Sequence, residues 1–265
     1  MNPIEKKQKE HHEIFFHDVL NRGPDAYDGF INPESIWYWM HIRCLEHIKD
    51  FFKGIKTSSF LTVGDGYCGR EAGYIKRFGH WVHASDWEPC LLEMAKSKGL
   101  VDDCSKQDVN ELEFDDEAFD YVLTKETLHH LTTPYRGLCE MLRVAKKGII
   151  LIEPNGDNGQ KYNCETFEPT GNFLFMFSSN ELMKIGAAYG YKFFAFTYSM
   201  VFYGFHDQKA IQSGRVEEEK KRLLAVEEQM VFDYRPLLVF FFLRSKEDSN
   251  LLTDPKFIRK EIKNG

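Results

Sequence analysis

The sequence lacks the features of secreted, membrane-spanning and zinc-binding chains. Its six cysteines are scattered, with neither a C-x-x-C pair nor the Cys/His spacing of a zinc site, so we expect reduced thiols. The first sixteen residues are charged and lack the apolar core of a signal peptide. The longest strongly apolar run, Leu237 to Leu243, is far too short to span a bilayer. We therefore expect a cytoplasmic protein with no membrane anchor and no bound metal.

A surplus of positive charge is also absent. Lys and Arg total 34 against 41 Asp and Glu, and the net charge of −7 gives the whole chain no attraction for a phosphate backbone. The sequence TKET after the fourth predicted strand also differs from the Asn-Pro-Pro-Tyr type of motif that accompanies base flipping. We therefore expect a small-molecule substrate and no nucleic acid.

From residue 58 onward, strand-like and helix-like segments alternate. Five strand-like segments, among them FLTV, WVHAS and FDYVLT, precede residue 155 and are separated by helix-like segments. An insertion at about 156–177, a helix, a sixth strand at 192–200, a second insertion at about 203–232 and a seventh strand at 235–244 follow. This order predicts an α/β fold with a seven-stranded, mostly parallel Rossmann-like sheet and helices on both faces.

The predicted core at 58–245 is flanked by two segments without strand signals. Residues 1–57 show helical periodicity, with a break at 21–25 and a second helix at 33–53, and they predict an N-terminal helical cap. Within this cap, the region of Tyr27, Asp28 and 37–39 is a candidate lid. Residues 246–265 are polar, and we expect a frayed or loosely docked C-terminal tail.

A glycine-rich turn follows the first predicted strand. Gly64, Gly66 and Gly69 permit positive φ angles and close approach of backbone N–H groups to a ligand. The second strand ends at Asp86, twenty-two residues after Gly64, where a carboxylate reaches the two hydroxyls of a bound ribose. The pairing predicts an adenosine-type ligand. The alternative is a tight turn followed by a helix-capping aspartate.

Two further segments, Asp108-Val109 and FDYVLTKETLHHL, complete a pattern that resembles the class I S-adenosylmethionine-dependent methyltransferases of the small-molecule type. The resemblance covers about residues 60–154, including Arg143-Val144 before the fifth strand, and extends loosely to the flanks. It implies S-adenosylmethionine as the cofactor, a small-molecule methyl acceptor and an antiparallel strand seven.

The resemblance also implies roles for single residues. Gly64, Gly66 and Gly69 would shape the loop around the methionine part of the cofactor, and Asp86 would hold the ribose. The remaining expected contacts are Trp87 stacked on the adenine, Asp108 at the adenine amino group, Val109 packed on the ring, and Thr124 at the end of strand four.

One position departs from the family pattern. Many members carry an acidic residue two positions before the first glycine, where this chain has Thr62, and the glycine turn is one residue longer than the common form. Asp65 and Glu126 are the two candidates for the carboxylate that would contact the methionine ammonium, and the sequence does not choose between them.

Candidate bases follow the fourth strand, because ligands bind beyond the carboxyl ends of parallel strands. Glu126, His129 and His130 are the candidate catalytic residues, and packing of the histidine pair within the loop is the alternative. If this segment is helical, the same three side chains could also bind a metal ion, although the spacing identifies no further ligand. The aromatic stretch 191–205 either lines an acceptor pocket or, as alternation favours, packs within the sheet.

Two other functions compete with methyl transfer. An NAD-dependent oxidoreductase shares the glycine turn and the ribose carboxylate, and a cofactor-binding protein without catalysis is consistent with Thr62. As an O- or N-methyltransferase, the chain resembles enzymes of bacterial polysaccharide and natural-product pathways. A sugar, a sugar nucleotide or a phosphate-bearing metabolite is therefore the expected acceptor, and the oligomeric state remains open.

Overall fold

The amino-terminal region is entirely helical. A computed structural model describes residues 3–158, 175–202, 206–231 and 235–262. Its first four helices are α1 (Pro3–Arg22), α2 (Pro24–Ile31), α3 (Ile36–Glu46) and α4 (Lys49–Gly54). The predicted break at 21–25 is present, because Gly23 has φ +82° and Pro24 opens the next helix. The single helix expected over 33–53 is instead two helices, which separate at residues 47 and 48.

The alternating region follows the predicted order. Its elements are β1 (Ser59–Val63), α5 (Arg70–Lys76), β2 (Trp81–Asp86), α6 (Cys90–Ser97), β3 (Asp103–Lys106), β4 (Phe119–Lys125), α7 (Pro134–Val144) and β5 (Ala145–Pro154). After them come α8 (Ser179–Ala188), β6 (Phe193–Ser199), α9 (Gln208–Gln212), α10 (Val216–Gln229), β7 (Leu237–Leu243), α11 (Lys246–Asn250) and β8 (Ile258–Glu261). Most of the insertion predicted at 156–177 lies outside the described residues, and α9 and α10 lie in the second insertion.

The strands form one mixed sheet in the order β3-β2-β1-β4-β5-β7-β6-β8. Strands β1 to β5 pair in parallel, and β7 runs antiparallel to both β5 and β6, as expected. The predicted count of seven strands is wrong, because β8 pairs antiparallel with β6. Its four residues, IRKE, are all exposed, so an edge strand of this kind carries no hydrophobic alternation for sequence analysis to detect.

The C-terminal segment is also more ordered than expected. In place of a frayed tail, α11 and β8 dock on the sheet. Leu252 and Phe257, which lie between them, are buried in the hydrophobic core, and Phe257 packs edge-on against Phe241 of β7. Leu252 and Phe257, together with the partly buried Leu251, therefore anchor a largely polar segment.

Helices cover both faces of the sheet. Phe60 of β1 packs with Phe52 and Tyr74 in one hydrophobic cluster, whereas its neighbour Leu61 packs with Leu138 and Leu142 of α7 in a second cluster. Successive side chains of a strand point to opposite faces, so burial of both faces accounts for the continuous apolar strands. Among the described residues, no helix has the length and apolar character needed to cross a membrane.

Candidate active site

A cavity of about 310 Å³ opens where the parallel strands end. Its floor comes from the residues that follow β1, β2, β3 and β4, and its cover comes from α1. The α1 contribution consists of Glu5, Gln8, Lys9, His11, His12, Phe15 and Phe16. The expected lid around Tyr27 and residues 37–39 does not line this cavity, so α1 takes the covering position instead.

The glycine turn brings the chain close to the end of β2. The Gly66 N–H donates to Asp86 Oδ2 at 3.0 Å. A Cβ added to Gly66 would lie 2.7 Å from this same oxygen and 2.5 Å from a ring carbon of Phe16. Gly64 lines the cavity with φ +75°, whereas Gly69 packs away from it, where an added Cβ would lie 2.6 Å from Val101. Gly64 therefore permits backbone approach at the cavity, Gly66 permits the turn to approach Asp86, and Gly69 permits helix packing.

Asp86 is a buried carboxylate on the cavity wall. Its side chain is held by the N–H groups of Gly66 and Glu88, each at 3.0 Å. Burial raises the pKa of Asp86 to about 6, although these hydrogen bonds oppose the rise. Above that pH the carboxylate is charged, and it can accept hydrogen bonds from two ligand hydroxyls.

Lys9 of α1 contacts two of the three residues that the sequence assigns to adenine, Asp108 and Trp87. Its Nζ lies 2.8 Å from Asp108 Oδ2 and 3.2 Å from the centre of the Trp87 ring. Burial alone would raise the pKa of Asp108, but hydrogen bonds from Lys9 and from the Asn110 N–H outweigh it and leave the pKa below its usual value. A cationic side chain thus occupies the space in which an adenine amino group would meet Asp108.

The loop after β4 is fixed by one buried carboxylate. Glu153, fully buried at the end of β5, accepts hydrogen bonds from the N–H groups of Thr127 and Leu128 at 2.9 and 2.8 Å. Its other oxygen lies 2.8 Å from Nδ1 of His129. Glu126 immediately before this loop has φ +50°, an uncommon conformation for a non-glycine residue. Glu153 therefore holds a strained turn at the cavity edge.

The histidine pair divides between two environments. His129 is buried against Glu153 and does not line the cavity, whereas His130 does. The two rings lie 3.9 Å apart between centres. The backbone oxygen of His130 accepts a hydrogen bond from Gln8 of α1 at 2.7 Å, which ties the cover to this loop. Within the described residues, Glu126, His129 and His130 do not converge as a metal site.

Asp65 belongs to a buried charge cluster rather than to the cavity. Its carboxylate accepts from the N–H groups of Glu71 and Ala72 at the start of α5, and burial together with the Glu71 carboxyl raises its pKa. Glu71 also contacts Arg70 at 3.0 Å and Lys125 at 3.9 Å. These neighbours were missed by sequence analysis, because nothing in a local pattern distinguishes a buried ion pair from surface charge.

Some of the predicted site residues line the cavity and others do not. Those that line it are Gly64, Asp86, Trp87, Asp108, Val109, Glu126 and His130. Those outside the lining are Asp65, Gly66, Gly69, Thr124 and His129. Thr124 is fully buried and donates to the carbonyl of Val63 at 3.1 Å, so its hydroxyl joins β4 to β1 and faces no ligand space.

Comparisons with known proteins identify one domain in the chain and solved structures of similar fold. Residues 61–152 match the family described as "Methyltransferase domain". A structure of a SAM-dependent methyltransferase from Thermotoga maritima shares 17% identity and a TM-score of 0.54, covering 87% of this chain and 100% of that one. The Burkholderia thailandensis 1,6-didemethyltoxoflavin-N1-methyltransferase, with bound 1,6-didemethyltoxoflavin and S-adenosylhomocysteine, shares 15% identity and a TM-score of 0.53 over 93% and 92% of the two chains. No curated protein matches the chain.

The domain match lies on β1 to β5, the part of the chain that provides the cavity floor. It favours methyl transfer over the oxidoreductase alternative, which shares only the glycine turn and the ribose carboxylate. The domain match indicates that the chain is an S-adenosylmethionine-dependent methyltransferase, and the structures named above share its fold.

Proposed function

We propose that the cavity under α1 binds S-adenosylmethionine with its adenosine across the ends of β1, β2 and β3. The supporting observation is the convergence of Asp86, Trp87 and Asp108 on one cavity beside the Gly66 backbone. Asp86 would accept from the ribose hydroxyls, Trp87 would stack on the adenine, and Asp108 would accept from its amino group. The site fits this ligand once Lys9 leaves Asp108, because the lysine and the adenine amino group need the same carboxylate oxygen.

The proposed methyl acceptor is a small molecule bound near the end of β4. The cofactor supplies an electrophilic methyl group on a cationic sulfur, so the chain's main task is to align the acceptor with it. Gln8, His12, Thr127 and His130 line the cavity with hydrogen-bonding groups. They support a hydroxylated acceptor, and a sugar, a sugar nucleotide or a phosphate-bearing metabolite remains our proposed class.

His130 is the proposed base for a hydroxyl or ammonium acceptor. It lies on the cavity wall, and its loop is held by Glu153 and His129. An imidazole nitrogen there would take the proton that the acceptor loses. Glu126, which also lines the cavity, is the second candidate.

Calorimetry with purified protein tests the proposal directly. We expect S-adenosylmethionine and S-adenosylhomocysteine to bind competitively at one site per chain, with no binding of NAD. Transfer of an isotope-labelled methyl group to a panel of sugars and sugar nucleotides then identifies the acceptor. Binding of NAD and of neither sulfur ligand would refute the proposed function, and binding without transfer to any acceptor would support a non-catalytic protein.

A further inference from the structure

Three side chains of metal-ligand type meet beside the cavity, between α1 and the loop after β2. His17 projects from α1, Glu88 lies in the loop that follows Asp86, and Cys90 is the first residue of α6. One ligand atom from each lies within 4.8 Å of the other two, and His17 Nε2 lies 3.6 Å from Glu88 Oε1. The cluster therefore joins the helix that covers the cavity to the loop that supports its floor.

The donor set is that of a zinc-type cation. Imidazole nitrogen, carboxylate oxygen and thiolate sulfur are the three ligand types of protein zinc sites, with bonds of about 2.0 to 2.3 Å. Tetrahedral geometry at such bond lengths places neighbouring ligand atoms roughly 3.3 to 3.5 Å apart. The observed His17–Glu88 distance of 3.6 Å is already close to this spacing.

The environment suits binding from solvent. Glu88 and Cys90 are buried, and Glu88 Oε1 accepts from the Cys90 backbone N–H at 3.3 Å, which holds the carboxylate beside residue 90. The His17 side chain is about half exposed, at 51%, which leaves an open route for the cation and freedom for the ring to adjust. Positions 17, 88 and 90 follow no zinc spacing, which explains why sequence analysis predicted no metal.

We propose that His17, Glu88 and Cys90 bind one zinc-type divalent cation, with water completing a tetrahedral site. On binding, the Cys90 thiol releases its proton to solvent and the sulfur forms the metal bond. Since the ligands come from α1 and from the loop after β2, the cation fastens α1 over the floor of the cavity. This fastening bears on catalysis only through the proposed role of α1 as the cover of the cofactor site.

The simplest alternative explanation of the cluster is an ion pair between His17 and Glu88. Substitution of Cys90 distinguishes this ion pair from a metal site. An ion pair needs no thiol, whereas a zinc-type site uses sulfur as a ligand. A cysteine outside the cluster, the partly buried Cys104 of β3, provides a control because it is also a free thiol.

Cobalt titration of the full-length chain is the primary test, because Co²⁺ occupies zinc sites and reports thiolate ligation by charge-transfer absorption. We expect one Co²⁺ per chain, loss of this absorption in Cys90→Ser, and at least about tenfold weaker binding in His17→Asn and Glu88→Gln. Cys104→Ser should bind as the parent does. Absence of stoichiometric binding, or unchanged absorption in Cys90→Ser, overturns the proposal.

Hydrogen exchange tests the fastening of α1 without recourse to activity. One equivalent of Zn²⁺ should slow amide exchange in α1 of the parent and of Cys104→Ser, and should have no effect in Cys90→Ser. Unchanged exchange in a protein that binds Zn²⁺ would overturn the fastening of α1. Both experiments omit S-adenosylmethionine and any acceptor, so their outcome does not depend on whether the proposed function is correct.

Discussion

Asp86 shows how burial prepares a single carboxylate for ligand binding. The group is buried among backbone N–H donors, and burial raises its pKa from 3.8 to about 6. A folded pKa above the unfolded one means that the folded state binds the proton more tightly. The contribution of this group to stability is therefore present below the unfolded pKa and is lost as the pH rises through about 6. The charged form, which the proposed ribose contact requires, is therefore carried at a cost to folding stability.

The first prediction concerns this residue. Asp86→Ala should weaken S-adenosylmethionine binding by about 2 kcal/mol, roughly thirtyfold, because two ribose hydroxyls lose a charged acceptor. Calorimetry measures the dissociation constant, and circular dichroism checks that the variant is folded. In the parent, binding should also weaken as the pH falls through about 6. A variant that binds as tightly as the parent would show that Asp86 serves only the glycine turn.

The second prediction separates the two histidines. His130→Ala should lower kcat by roughly 10²-fold for a hydroxyl acceptor while leaving cofactor affinity nearly unchanged, because His130 lines the cavity. His129→Ala should instead lower the thermal unfolding midpoint, since it leaves the fully buried Glu153 without its imidazole partner. Steady-state kinetics and thermal denaturation of both variants provide the check. Near-normal turnover of His130→Ala would mean either that Glu126 is the base or that alignment of the acceptor with the methyl group is sufficient without a base.

Among the structural elements, α1 combines two tasks. Phe16 and Val19 are buried against the core, and Phe16 packs edge-on against Tyr67 of the glycine turn at 5.2 Å between ring centres. Two polar side chains of the same helix, Lys9 and Gln8, line the cavity and bond to Asp108 and to the backbone oxygen of His130. Apolar packing thus fixes the helix as a whole, while polar side chains meet the ligand space.

The third prediction concerns Lys9. Lys9→Ala should tighten S-adenosylmethionine binding by about two- to fivefold, because the ligand no longer competes with a partly exposed ion pair worth up to about 1 kcal/mol. Raising the salt concentration should tighten binding in the parent and have less effect in the variant. Lys6→Ala, at an exposed position of the same helix, is the matched control. Weaker binding by Lys9→Ala would mean that the lysine contacts the bound cofactor.

The loop after β4 and the cover α1 also show what a single sequence can predict. The glycine turn and Asp86 are close in the chain and follow a strand-turn-helix-strand spacing, so sequence analysis could single them out. Lys9 meets Asp108 across 99 residues, and His129 turns towards Glu153 across 24, distances over which one chain alone provides no periodic signal. Local patterns therefore predicted the cavity floor, and the cover and the division of the histidines required tertiary structure.

For the molecule as a whole, β8 changes which strand forms the edge of the sheet. Without it, the aromatic strand β6 (FFAFTYS) would present unpaired backbone groups to solvent. The charged residues of β8 instead form this edge. The fold class and the antiparallel strand seven were predictable from the pattern, but a short polar edge strand was not, because its stability comes from pairing with β6.

The fourth prediction tests that edge. A chain that ends at Phe257 keeps this residue for packing against Phe241 but lacks β8. It should remain folded and show more light scattering than the full chain as protein concentration rises, because β6 becomes an open edge. Replacing Lys260 by Ala in the full chain provides a control that keeps the backbone pairing. Equal scattering by the truncated and full chains would show that β6 needs no protection.

The position of α1 has a consequence for the kinetic order of the reaction. The helix bonds to the proposed cofactor side of the cavity through Lys9 and Asp108, and to the proposed acceptor side through Gln8 and the backbone oxygen of His130. Because α1 contacts both sides of the cavity, we expect the two ligands to exchange in a fixed order rather than independently. Turnover should therefore follow a sequential mechanism through a ternary complex, with cofactor entry, which displaces Lys9, preceding acceptor binding.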